Sequence, residues 1–296
     1  MLNIPIPVVM RLKQSKNVLI LGMGGGFDIF SGLPIYFTLE KMGVKCHLAN
    51  FTHTPWDSVS NFVDPIPMAD GCIGVDGNIK QSSANFPEAY LASWFRDYKQ
   101  QDVKVWLFKR DQSVSQYSNS LNILVKHLGV DAILLVDGGV DSIMTGNEKK
   151  ENLTKNFIET SIVLKSVENL KIDLFSVCCN NNVISSEEIN NRIYNISSQG
   201  GFYGGCYIIN YMKSYKDFKI FYDYYINSND SYKEVENLVK NTDFEYEDNE
   251  IKNGQSQYLF FNSEALIYNN NAIKILEGDE NYYDLVQKIA PFVNKY

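Results

Sequence analysis

Val18-Leu19-Ile20-Leu21-Gly22-Met23-Gly24-Gly25-Gly26-Phe27-Asp28 decides the fold of this chain. Four apolar residues run without alternation into a turn that has glycine at four of five positions and ends on an acid. An uninterrupted apolar run of this length is the pattern of a strand buried on both faces, as in a parallel sheet. Glycines at its end allow positive φ and close approach to the backbone. The spacing predicts a helix over Ile29 to Lys41, stopped by Gly43, and a second strand over Val44 to Phe51. The whole has the length of a βαβ unit.

The pattern recurs. Ala132 to Val136 is an apolar run ending in Asp137-Gly138-Gly139-Val140-Asp141-Ser142. Between the two lie a helix over Pro87 to Lys99, a strand over Val103 to Phe108 and a helix over Ser113 to Leu128. A helix over 152–169 and a strand over Lys171 to Cys178 follow. Regular β/α alternation with five parallel strands predicts an α/β fold, an open, doubly wound, mostly parallel Rossmann-like sheet with a helix-rich C-terminal section. Residues 52–85, rich in proline and glycine, read as a long loop serving as a lid or pocket wall, with room for two short strands near Gly71 to Val75. After Asn180 the composition shifts to Tyr, Asn and Lys. Helices are expected over 186–198 and 205–240, an acidic connector over Phe244 to Asn253, a strand over Tyr258 to Ile267 and a last helix over Tyr282 to Val293. The division expected is 1–184 as α/β core and 185–296 as a helical extension with one or two added strands, packed on the same domain.

Composition narrows the function classes. The chain has 296 residues, 45% hydrophobic, with a net charge of -8. That is ample for a core and poorly suited to binding phosphate backbones, which needs many Lys and Arg contacts, so a nucleic-acid partner is disfavoured. No apolar stretch nears the length of a membrane span, and Met1 to Pro7 lack the charged and continuous apolar segments expected of a signal peptide. Five cysteines without framework spacing suit a reducing compartment. A cytoplasmic protein is the expectation, or one delivered by a route that needs no signal peptide; an oligomer is compatible.

Ligands of open α/β sheets bind beyond the carboxyl ends of the strands, at the point where strand order reverses. If the first and fourth parallel strands flank that point, the two glycine turns share one crevice. Asp28, Asp137 and Asp141 are then the candidate catalytic acids. Gly24, Gly25, Gly26, Phe27, Gly138, Gly139, Ser142, Asn180 and His53 are the candidate ligand contacts. Clustered carboxylates suit hydroxyls of a sugar, or a divalent cation (Mg²⁺ or Ca²⁺) held by Asp137 and Asp141, or proton transfer by mutual perturbation. The competing structural reading makes Asp28 and Asp141 helix caps and Asp137 a turn residue. An NAD(P) or flavin cofactor is the alternative, weakened because Phe27 replaces the third glycine of the dinucleotide fingerprint and Asn50-Phe51 stands where a ribose-binding acid is expected. Cys178 and Cys179 read as buried strand cysteines, Cys46 and His47 as core, His127 as a helix-end residue, and Trp56 and Phe86 as residues able to stack on a base or sugar.

GMGGGFD at residues 22–28 and DGGVDS at 137–142 together resemble the uncharacterised family known as domain of unknown function 1152. The resemblance implies a Rossmann-like fold and supplies no activity. The residues themselves point to an enzyme binding a nucleotide, nucleoside or sugar-phosphate-like ligand, a hydrolase or group transferase. The alternatives are the oxidoreductase above and a non-catalytic nucleotide sensor presenting tyrosines such as Tyr207, Tyr211, Tyr215, Tyr222, Tyr224 and Tyr225 to a partner.

Overall fold

The structure is a computed structural model, and it describes residues 7–24, 26–80, 86–148, 155–180, 185–208, 212–228, 246–247, 250–251, 257–276, 283–284 and 286–288. The strands are β1 (Asn17–Gly22), β2 (Lys45–Phe51), β3 (Ile66–Ala69), β4 (Cys72–Val75), β5 (Val105–Phe108), β6 (Ala132–Asp137), β7 (Asp173–Asn180), β8 (Phe202–Tyr207) and β9 (Gln257–Asn262). They form one nine-stranded sheet in the order β3-β4-β5-β2-β1-β6-β7-β9-β8. The five inner strands β5, β2, β1, β6 and β7 are parallel, and the flanking pairs are antiparallel. This is the expected open α/β sheet. β1 lies between β2 and β6, so strand order reverses there.

β1 is central because both its faces are apolar. Val18 and Ile20 pack into the core on one side of the sheet, Leu19 and Leu21 into the core on the other, all fully buried. The layers are made by α1 (Val8–Leu12), α2 (Asp28–Ser31), α3 (Leu33–Lys41), α4 (Val59–Phe62), α5 (Pro87–Asp97), α6 (Val114–Leu128), α7 (Lys155–Val167), α8 (Ser186–Ser198), α9 (Lys213–Asn227) and α10 (Ser263–Asn269). Ser113 and Gln116 close a capping box at the start of α6, fixing where that helix leaves the sheet edge. No described helix is long and apolar enough to cross a membrane.

Several expectations change. The helix after the first glycine turn is two, α2 and α3, joined at Gly32. Residues 52–80 are not an open loop: a 3-10 turn at Trp56–Ser58, α4 and the β3–β4 hairpin order them against the sheet edge. The helix expected from residue 205 is instead strand β8 followed by α9. β8 exists because β9 supplies an antiparallel partner, Leu259 opposite Gly205 and Tyr258 opposite Cys206, a pairing invisible from local sequence. The strand expected over Tyr258 to Ile267 stops at Asn262, whose side chain caps α10. Two-residue strands Tyr246–Glu247 and Glu250–Ile251 stand in the expected connector. Gly25, Tyr211, residues 229–240 and most of the last expected helix lie outside the described residues.

Candidate functional site

The first glycine turn leaves β1 beside β6, with the Met23 N–H donating to the Val136 carbonyl at 2.9 Å. Gly26 takes φ +76°, a conformation that needs glycine, and a Cβ there would stand 3.1 Å from the His53 ring. Its carbonyl accepts from the Asn50 side-chain amide at 2.8 Å, and the same Nδ2 donates to Glu88 Oε1 at 2.8 Å. Asn50 and Glu88 are both fully buried. The turn is thus fastened from beneath by a side chain at the end of β2, at the place where a dinucleotide fold carries its ribose-binding acid.

Asp28 is the first residue of α2, and the N-cap position is Phe27. The Asp28 side chain faces the second turn: a Cβ on Gly138 would lie 2.8 Å from Asp28 Oδ1. Burial, then the charge of Asp137, push the Asp28 carboxyl well above the ordinary carboxylate range. Asp141 and Glu159 push the same way, and the Gly138 N–H pulls against them. The rest of the second turn is held by Asp137. Its Oδ1 accepts from the Gly139 N–H at 2.8 Å and its Oδ2 from the Ser142 N–H at 2.6 Å. Burial raises its pKa while the bonds from Ser142 and Gly139 lower it. Asp141 opens a short 3-10 turn, Asp141–Ile143, and is buried with Ser142. The Gly139 carbonyl accepts from the Cys179 N–H at 2.9 Å, tying the turn to β7.

A second charged group faces the first turn. His53, just past β2, meets Glu159 of α7 at 2.8 Å between Nε2 and Oε2. Arg110, just past β5, pairs with the other Glu159 oxygen. Glu159 is fully buried, whereas His53 and Arg110 are about a third exposed. A Cβ on Gly24 would lie 3.3 Å from Glu159 Oε2. The ends of β1, β2, β5 and β6 therefore bring Asp28, His53, Arg110 and Asp137 around the two glycine turns.

Of the residues read from sequence, Asp28, Asp137, Asp141, Gly24, Gly26, Gly138, Gly139, Ser142 and His53 come together here. Phe27 is turned away into an aromatic group, 5.8 Å from the Phe30 ring and 6.4 Å from Tyr225. Asn180 ends β7 opposite Gln257; its side chain and Gly25 lie outside the described residues. Phe86 is buried in the core and does not reach a ligand, and Trp56 packs against the same core. Cys178 and Cys179 are buried, and burial drives both thiols well above their ordinary range, so neither is a ready nucleophile. Among the described residues, no three His, Cys, Asp or Glu side chains are arranged to hold a metal ion.

Sequence reading missed Glu159, Arg110, Asn50 and Glu88. Two of them left a signal. Glu159 shares a helical stripe with Ile162, Val163 and Ser166, and Glu88 with Leu91, Ala92 and Phe95, all buried. An acid in an otherwise buried i, i+3, i+4, i+7 stripe needs a partner inside the fold.

The family described as "Protein of unknown function (DUF1152)" matches residues 19–224, which contain both glycine turns, His53, Arg110 and Glu159. No curated protein and no solved structure matches the chain. The chain belongs to this DUF1152 family.

Proposed function

We propose that the crevice is the active site of a hydrolase or group transferase acting on a nucleotide, nucleoside or sugar-phosphate-like ligand. The observation that carries the reading is the pairing of an acid with a raised pKa, Asp28, and an imidazole held by a buried carboxylate, His53 on Glu159, on either side of one glycine turn. A carboxyl that keeps its proton and an oriented imidazole supply a donor and an acceptor at one place. Asp28 is the proton donor to a leaving oxygen or nitrogen. His53, oriented by Glu159, accepts a proton from water or from an acceptor hydroxyl. Arg110, shared with Glu159, is the cation within reach of an anionic part of the ligand.

The electrostatics favour hydroxyl recognition at the glycine floor. α2 is four residues long, so its dipole is small, and the carboxyls of Asp28 and Glu159 border the turn. A sugar hydroxyl can donate to either carboxyl, whereas a phosphate there meets the negative charge of Glu159. Thermal-shift screening against nucleosides, nucleotides and sugar phosphates, each with and without Mg²⁺ or Ca²⁺, is the test, because a ligand of the folded state raises its melting temperature by mass action. Hits are then assayed for turnover with Asp28→Asn and His53→Gln. Wild-type turnover in both variants would remove the basis of the proposal.

A further inference from the structure

At the opposite end of the sheet from the crevice, a cavity of about 520 Å³ lies among the starts of β2 and β5, strand β3 and the last turn of α6. Four bases line it, Lys45, His47, Lys104 and His127, against one acid, Asp102. In a chain of net charge -8 this is a local reversal of sign. Met68 and Trp106 form part of its apolar wall, and the Trp106 ring meets the His127 ring edge-on at 6.2 Å.

His47 is the informative member. Its Nε2 is buried and makes no hydrogen bond among the described residues. Burial first, then the charges of Lys45 and His127, push its imidazole down to about 4. Lys45 and His127 thus stand close enough to oppose a positive charge on His47, whose buried ring nitrogen is left unmatched. An oxyanion beside Lys45 and His47 offsets that opposition and favours the protonated ring.

We propose that this cavity is a second ligand site, taking a phosphate or carboxylate joined to a flat apolar body. The oxyanion sits among Lys45, His47 and Lys104, and the body lies along Met68 and Trp106. The site is independent of the crevice and of the reaction proposed there.

The chain has three histidines, so imidazole proton NMR separates the two sites: His47 and His127 report on the cavity, His53 on the crevice. Phenyl phosphate is the probe, with benzyl alcohol as its neutral counterpart. The His47 and His127 signals are expected to move saturably with phenyl phosphate and not with benzyl alcohol. The His47 titration should rise by about one pH unit or more, equivalent to about tenfold tighter binding to the protonated ring. Lys45→Ala with Lys104→Ala, both at exposed positions, should weaken binding about tenfold while the melting temperature holds. The proposal is overturned if neither cavity histidine responds at tens of millimolar probe, if only His53 responds, if benzyl alcohol gives the same shifts, or if the double variant binds as the wild type does.

Discussion

Replacing Asp28 by Asn should stabilise this protein at neutral pH, and the gain should vanish in acid. The folded protein holds the Asp28 proton well above the ordinary value of 3.8, chiefly through burial and secondly through Asp137. The unfolded chain releases that proton near 3.8. The folded state therefore binds the proton more tightly, and stability is lost as pH rises from about 4 to the folded pKa. Each pH unit in that window removes about 1.4 kcal/mol. Asn has the same shape, can keep the bond from the Gly138 N–H, and never ionises. Its stability advantage should be nil below pH 4 and grow with pH until the folded pKa is passed. For a chain of this size the melting-temperature gap should widen by about 2 °C per pH unit. Scanning calorimetry of both proteins across pH 3.5 to 8 measures it. A gap independent of pH, or an Asp28→Asn variant that melts at or below the wild type at pH 7, would refute the electrostatic account of this residue.

Removing Glu159, whose partners His53 and Arg110 are about a third exposed, should cost less than breaking a fully buried pair. Glu159→Ala leaves His53 and Arg110 able to hydrate, so denaturant titration should show a loss of about 1–3 kcal/mol rather than the 3–5 of a sealed pair. Asn50→Ala strands the Gly26 carbonyl and Glu88 Oε1 together and should cost about 2–4 kcal/mol, read from the same titration; a loss under half a kcal/mol would deny the fastening role. Gly138→Ala puts a methyl 2.8 Å from Asp28 Oδ1 and should displace that side chain, lowering turnover at least as much as Asp28→Asn once a substrate is in hand. Tyr258→Phe removes the hydroxyl that donates to the Ser31 carbonyl, clamping β9 to α2, and should cost about 1 kcal/mol by calorimetry.

What the sequence made legible was local. Val18 to Leu21 and Ala132 to Val136 are buried runs with glycine turns at their ends, and a strand, its turn and its helix are read from one continuous window. That the two turns lie side by side followed from strand order. Glu159, His53 and Arg110 were not legible as a group because three separate elements bring them together, and no window contains two of them. β8 failed for a related reason: Gly204-Gly205 breaks any local strand signal, and only pairing with β9 makes the segment extended. His47, read as core, is half-buried and lines a cavity; one strand position cannot tell a packed imidazole from one facing a cavity. Tyr215 and Tyr225, candidates for a partner surface, are buried in the core because α9 lies against α3 and α5.

The acids at the strand ends divide by what already holds them. Both oxygens of Asp137 accept backbone N–H groups of its own turn, so its charge is spent on keeping residues 138–142 in shape. One Glu88 oxygen is taken by Asn50, and Glu88 lies beneath the turn, fully buried. At Asp28 the one opposing bond, from Gly138, is outweighed by burial and by the neighbouring charges of Asp137, Asp141 and Glu159, and the residue is half-buried where the other two are buried. A fold gains nothing from an acid in that position, since a neutral side chain of the same size would stabilise it. The two turns look alike in sequence, each an apolar strand, glycines and an aspartate, yet Asp137 is bonded twice within its own turn and Asp28 once, across to the other.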